Sequence, residues 1–379
     1  MRNLLLAIFL LQALQSATAQ TAGIQAGGYL RSMLSLSYLD DTGEIQSTLL
    51  LHQRTNLSWN IIPDVVFNTG IRTRYFAGDG AKVPGTAALF AAQGNDVLNF
   101  SQVWFAQKRH FLLSTVDRLN IQWRHAATEI TAGRQRINWG VSSIWNPNDL
   151  FNTYAFTDFD YSERPGADAL RITHFLDETS GIDAAIKPGN NKRLTSGIRY
   201  FTNWRSSDIQ VIAGTFERDL VLGLGTAVSA GGSMIKMEAS YFEPLTDTVS
   251  RAIVATLSAE YQFDNGLYGS GGLLYNDAAP AGGAFQDLFS TDLDARRLFP
   301  FTWAGVLSGG GALTPLISVN GAVIYTPAAS HLTFVQSSAS VSIASNWDLA
   351  AFYQSVLTIK KGGPEIPLHA FFLRTQWSF

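Results

Sequence analysis

Along most of the chain after residue 20, bulky and polar side chains alternate one for one. Successive side chains of a β-strand point to opposite faces, so this pattern predicts strands with one apolar and one polar face. Between Leu49 and Asn60, Leu49, Leu51, Thr55, Leu57 and Trp59 fall on one face, and His52, Arg54, Asn56, Ser58 and Asn60 on the other. After the short Ile61-Ile62-Pro63-Asp64 turn, Phe67, Ile71 and Tyr75 stand opposite Asn68, Arg72 and Arg74. Two such strands joined by a Pro-Asp turn form a hairpin. Further strands are predicted near 27–39, 98–107, 119–126, 129–138, 168–176, 181–187, 192–203, 207–216, 219–229, 233–243, 250–263, 266–275, 300–311, 315–326, 330–343, 346–358 and 368–379. The alternation runs to the final residue: Phe371, Leu373, Trp377 and Phe379 share a face with Thr375, while Arg374, Gln376 and Ser378 share the other.

No stretch beyond the first 20 residues has the unbroken apolar length of a membrane helix, roughly 20 residues. Strands that are apolar outside and polar inside instead fit a barrel crossed by segments of about 9–11 residues. A single-chain bacterial barrel has an even number of strands, so at least one member of the odd set above is wrong or is a loop strand. The prediction is an all-β, transmembrane, antiparallel up-and-down β-barrel of about 18 strands, with about 16 as the alternative. Three segments are too long and irregular for tight turns: 78–96, 141–167 and 277–298. Long connections of such barrels lie on the extracellular side, and some fold into the lumen.

The first residues are of a different kind. Met1-Arg-Asn is positive, Leu4 to Leu14 is apolar apart from Gln12, and Ala17-Thr18-Ala19 offers a small-x-small cleavage site. Residues 1–19 therefore read as a cleaved secretory signal peptide, and 20–379 as a single barrel domain. The 379 residues include 0 Cys, which leaves stability to backbone pairing and packing and excludes thiolate metal sites and a lipoprotein anchor. Trp 9, Tyr 12 and Phe 24 suit the aromatic girdles of a barrel. A net charge of -3 with no basic run gives no argument for nucleic acid as a partner.

Two motifs carry a resemblance. The closing strand is similar to the C-terminal strand of bacterial outer-membrane proteins. There the terminal Phe and alternate apolar residues are read by the barrel-assembly machinery, a role the resemblance assigns to Phe371, Leu373, Trp377 and Phe379. The second is internal: Asp117-Arg118, then Gly133-Arg-Gln-Arg-Ile-Asn-Trp-Gly140, then Asn146-Pro-Asn-Asp149. This order resembles porin-like outer-membrane β-barrel families of Gram-negative bacteria whose functions are largely unknown. The resemblance implies a barrel in the outer membrane with a transport role, lipid around it and small polar solutes inside it. It supplies no catalytic residues. From the residues themselves, Gly133 to Gly140 reads either as a corner that seats a loop or as a solute-contacting constriction through Arg134, Arg136 and Asn138.

Charge adds candidate chemistry. With the more apolar face of each strand placed toward lipid, Arg54, Arg72, Arg74, Arg124, Arg134 and Arg136 all point inward, since a charge on the lipid face at mid-membrane costs about 2–4 kcal/mol. Asp149, Asp158, Asp160, Glu163 and Asp168 lie in or beside the following long loop. A loop folded inward would set those acids against a basic wall and make a selective constriction. Either the arginines attract anionic solutes, or inward acids neutralise them and they stiffen the lumen. Trp104, Trp123, Trp139 and Trp145 fit membrane interfaces better than sugar stacking.

The six histidines, His52, His110, His125, His174, His331 and His369, form no His-x-Ser arrangement or metal-ligand spacing, and no phosphate loop or nucleophile elbow occurs. An enzyme is therefore not expected, nor is a cofactor. The functional expectation is a porin-like channel for passive diffusion of small polar solutes, anionic ones among them, as a monomer or homo-oligomer. The alternative is a non-conducting scaffold or an assembly or export barrel for surface polysaccharide or secretion.

Overall fold

A computed structural model describes residues 23–40, 43–82, 85–91, 97–152, 166–189, 193–246, 249–279, 293–327, 331–360 and 363–379. The leader read at residues 1–19 lies outside this set, as do Asp158, Asp160 and Glu163. The chain forms strands β1 Ile24–Leu39, β2 Glu44–Ile62, β3 Val65–Gly78, β4 Ser101–Gln107, β5 His110–His125, β6 Thr128–Gln135, β7 Ala167–Phe175, β8 Gly181–Pro188 and β9 Leu194–Trp204. It continues with β10 Ser207–Phe216, β11 Asp219–Ala230, β12 Ser233–Pro244, β13 Ala252–Gln262 and β14 Leu267–Asn276. The last strands are β15 Trp303–Thr314, β16 Ile317–Thr326, β17 Leu332–Ala344, β18 Trp347–Lys360 and β19 Gly363–Ser378. One short helix, α1, spans Thr86–Ala91.

Every wall strand pairs antiparallel with its neighbours, and β1 pairs with β19 from Tyr29↔Ser378 to Leu39↔Leu368, closing the sheet. Closure leaves neither the first nor the last strand as a sheet edge, as a hydrocarbon environment requires. Eighteen of the 19 strands make the wall. The exception is β4, which pairs with β5 alone among the described residues and runs along His110–Thr115. β6 holds the same edge of β5 lower down, from Leu119 to His125. Thus β4 flanks the upper part of β5, which β6 does not reach. The segment predicted as a strand at 98–107 is this patch, and the wall strand predicted at 119–126 is the lower half of β5.

The outward positions are those the alternation marks apolar. Leu222 and Leu224 of β11, Leu273 of β14, Leu307 of β15, and Phe371 and Leu373 of β19 are exposed. Trp59, Trp123, Trp204, Trp347 and Trp377 stand near the end with tight turns, while Tyr38, Tyr241, Tyr325 and the Tyr275–Trp303 pair (4.8 Å) stand near the other. Aromatics at both rims of an apolar belt suit ring systems that are apolar in body and polar at one tip. The start of β1 and the last residue meet at the tight-turn rim, where the Gly28 N–H donates to the Phe379 carbonyl at 2.9 Å. Gly231 and Gly232, both at positive φ (56° and 82°), make the two-residue turn between β11 and β12. All three long connections open from the opposite rim.

All three connections enter the barrel in their described parts. After β3, a 3-10 turn at Asp79–Ala81 leads to α1, whose Phe90 stacks on inward Phe76 at 4.8 Å and lies 6.1 Å from Phe111. Phe111 and Leu113 are therefore buried on the inner face. After β6, residues 136–152 run inward as a strap, and residues 293–302 before β15 pack beside it with Trp145 and Phe299 5.6 Å apart. Ile137, Trp139, Trp145, Leu298, Phe299 and Phe301 join the inward side chains of β10 to β19 in one buried apolar cluster.

Candidate functional site: an arginine-bearing inner wall

Strand register brings the cations of β1 to β3 onto two adjacent rungs. Arg31 pairs with His52, and His52 with Arg74; one rung away, Tyr29 pairs with Arg54, and Arg54 with Arg72. Arg31, His52, Arg54, Arg72 and Arg74 lie on the inward face, opposite lipid-facing Leu51, Gln53 and Ile71, and all five are buried. Arg54 donates to Asp117 at 2.8 Å, and Arg72 lies 3.3 Å from the other oxygen of the same carboxylate. Arg31 donates twice to Gln376 of β19, at 3.0 and 2.7 Å, and sits over the Tyr29 ring. Arg74 lies over Phe90 and Phe76. The guanidiniums thus have fixed positions along the wall.

A second arginine pair occurs on β7 to β9. Asp183, fully buried, receives Arg171 at 2.6 Å and Arg199 at 3.1 Å. Both triads place two guanidiniums on one carboxylate, which leaves each with one net positive charge. The Asp183 carboxylate also accepts the Trp139 indole N–H at 2.9 Å, so this triad is tied to the strap.

The strap has a built seat. Ile137 and Trp139 are fully buried toward the wall, whereas Arg136 and Asn138, which alternate with them, are exposed. Gln210 donates to the Trp139 carbonyl at 2.6 Å, and a Cβ on Gly197 would come within 2.9 Å of the Trp139 ring. Glu238 of β12 accepts the backbone N–H groups of Val141 and Ser142, and that of Asn148 at 3.3 Å. Ser240 donates to Asn148 at 2.8 Å, and Asn148 to the Leu224 carbonyl at 2.9 Å. Gly140 carries no side chain because Asn146 occupies the position a Cβ would need. The motif from Gly133 to Asp149 is therefore the root and body of a strap fastened across β8 to β13.

The remaining sequence-selected residues are dispersed. Arg134 is buried in the wall at the point where β6 ends. Its Nε donates to Asp168 at 2.7 Å, its Nη2 donates to Asp168 at 2.7 Å and to the Leu98 carbonyl at 2.6 Å, and its Nη1 donates to the Val116 carbonyl at 3.2 Å. It registers with Leu119 and Asp168, next to lipid-facing Leu170, and fastens the patch made by β4. Arg124 is exposed at the tight-turn rim and pairs with Glu129 at 2.7 Å. Asp149 is buried within the strap. Sequence reading did not find Arg31, Asp117, Arg171, Asp183, Arg199 or Glu238, whose roles depend on pairings between distant strands.

No protein-family profile matches the chain, and no curated protein matches it in sequence. Among solved structures, OccAB4 of Acinetobacter baumannii is similar with a TM-score of 0.60 and 10% identity, covering 96% of this chain and 100% of that one. OpdQ of Pseudomonas aeruginosa follows with a TM-score of 0.58 and 8% identity, over 94% and 98%. A triple mutant of the Rhodopseudomonas blastica porin aligns with a TM-score of 0.47 and 14% identity, over 94% and 100%. The chain has the closed-barrel fold of OccAB4 and OpdQ, at identities that bear on fold alone.

Proposed function

We propose that the protein is a porin-like channel in the outer membrane of a Gram-negative bacterium, through which small polar solutes, anionic ones preferred, diffuse passively. The observation that carries this reading is the pair of adjacent rungs on β1 to β3, which face Arg31, Arg54, Arg72 and Arg74 into a closed barrel. Cations lining a low-dielectric passage raise the local concentration of anions and lower that of cations. Arg136 and Asn138, exposed on the strap, are the other proposed solute contacts, opposite the basic wall. Arg134 and Arg124, each in an ion pair, contribute to the wall and rim in this reading.

The apolar belt, two aromatic girdles and the division into long and tight connections support the outer-membrane placement. Exposed Phe371 and Leu373, with Trp377 5.2 Å from Phe379, support recognition of the closing strand by the barrel-assembly machinery. A second reading, a non-conducting scaffold or export barrel, is favoured by the apolar cluster that fills the inner face of β10 to β19 near the loop rim. Planar-bilayer recording in a salt gradient separates them. Open-channel steps whose reversal potential indicates anion preference, reduced in Arg72→Ala, support the channel. Silence from a correctly folded barrel supports the scaffold.

A further inference from the structure

Asp117 occupies an unusual place in β5. The β3–β5 register passes from Gly70↔Arg118 to Ile71↔Val116, so Asp117 is the extra residue of a β-bulge. Bulges re-aim a side chain out of the regular pleat. Here the re-aimed group is a carboxylate, nearly inaccessible, with Arg54 Nη1 at 2.8 Å and Arg72 Nη2 at 3.3 Å on its two oxygens. Its surroundings hold this geometry from three sides. Arg54 Nε donates to Asn56 at 2.9 Å, Arg118 donates to the Asp117 carbonyl at 2.8 Å, and Gly70 leaves the space where Arg54 Nη2 lies. A planar guanidinium held at two edges keeps one orientation.

We propose that Asp117 is a positioning and selectivity-setting residue of the passage: it pins Arg54 and Arg72 to the wall and removes one unit of the positive charge they present. This rests on the channel reading. Asp183 bridges Arg171 and Arg199 in the same way but also holds Trp139 of the strap, so its replacement would change two things at once. None of the bonds that seat the strap involves the Asp117 side chain, which makes it the clean test.

The experiment is the anion-to-cation permeability ratio of the purified full-length barrel in planar bilayers at low ionic strength, where screening is weak. Asp117→Asn keeps the side-chain shape and removes the charge. Its ratio is expected to rise about fivefold, because a unit charge about 8 Å away in a water-like dielectric changes an anion's and a cation's energy by roughly RT each, in opposite directions. Asp117→Glu keeps the charge and should stay near wild type; a purely structural role would affect both variants alike. Closure of each barrel is checked by its heat-dependent gel mobility. If Asp117→Asn does not close, the double variant Arg54→Gln/Asp117→Asn removes the pair together and should restore both closure and the wild-type ratio. An unchanged ratio in Asp117→Asn, equal shifts in the Asn and Glu variants, or a shifted ratio in the double variant overturns the proposal. If Arg72→Ala still lowers the ratio, the channel reading stands without it. A silent wild-type barrel overturns both.

Discussion

Replacing Glu238 by alanine should unseat the strap while leaving the barrel closed. In the native protein the Glu238 carboxylate takes the N–H groups of Val141, Ser142 and Asn148, three donors of one loop on one wall residue. A buried donor left without a partner costs about 1–3 kcal/mol, and bonds to a charged acceptor are at the stronger end. Even the lowest sum, about 3 kcal/mol, lowers the ratio of seated to unseated strap roughly a hundredfold. The barrel itself is held by strand pairing on both sides of Glu238, which this substitution leaves intact. Glu238→Gln retains one acceptor oxygen and should fall between. The assay is limited trypsinolysis of the detergent-solubilised barrel with mass-spectrometric mapping of the Arg136–Ile137 bond. Arg136 is exposed but Ile137 is fully buried while the strap is seated, so cleavage reports release. Faster cleavage is expected in the order Ala, Gln, wild type, and in bilayers the Ala variant should show larger or noisier conductance. A folded Glu238→Ala barrel that is as resistant as wild type would refute the latch.

Other positions give independent tests. Gly197→Leu fills the space against the Trp139 ring and should displace the indole, seen as a red shift and stronger quenching of tryptophan emission; an unchanged spectrum contradicts the seat. Arg134→Ala breaks a buried ion pair in the wall and should lower stability to urea by about 3–5 kcal/mol, with the permeability ratio unmoved. A shifted ratio would instead put Arg134 in the passage. At the loop rim, the hydrogen bond from Lys82, with the Ser47 N–H, holds the Asp79 carboxyl down at about 2. Because this is below the unfolded value of about 3.9, the contact stabilises the rim above that pH and is lost as pH falls from about 4 toward 2. A carbon-detected titration should find the midpoint near its low native value, and Lys82→Ala should move it upward. Phe379→Ala should reduce the amount of folded barrel in outer membranes without changing refolding of purified protein in detergent; equal membrane yields would contradict an assembly role.

The wall was legible because one periodicity governs it: where one face meets lipid and the other polar groups, alternation survives in the sequence, as at Leu49 to Tyr75. It fails where the inner face is also apolar. Phe111, Leu112 and Leu113 read as a block rather than an alternation, because α1 and Phe90 cover Phe111 from inside. The upper half of β5 therefore carries no strand signal in the sequence, whereas the neighbouring patch β4 does. Likewise Arg136-Ile137-Asn138-Trp139 keeps alternating after the chain has left the wall, since a strap packed on an inner face obeys the same period of two. The inward rungs of Arg54, Arg72 and Arg74 could be read from parity alone. The acid that holds Arg54 and Arg72 could not, because Asp117 lies 63 residues from Arg54, and neither could the strap's latch, because Glu238 lies 97 from Val141. The one available signal for the strap's seat was a glycine, Gly197, inside a strand, which marks close approach of another group.

Whether the arginine-bearing interior is a passage is decided by recording the purified, heat-modifiable barrel in a planar bilayer under a salt gradient. The structure's inner wall predicts stable open-channel steps with a reversal potential on the anion side that moves toward zero in Arg72→Ala. No steps from a folded barrel, or steps with cation preference, would contradict it.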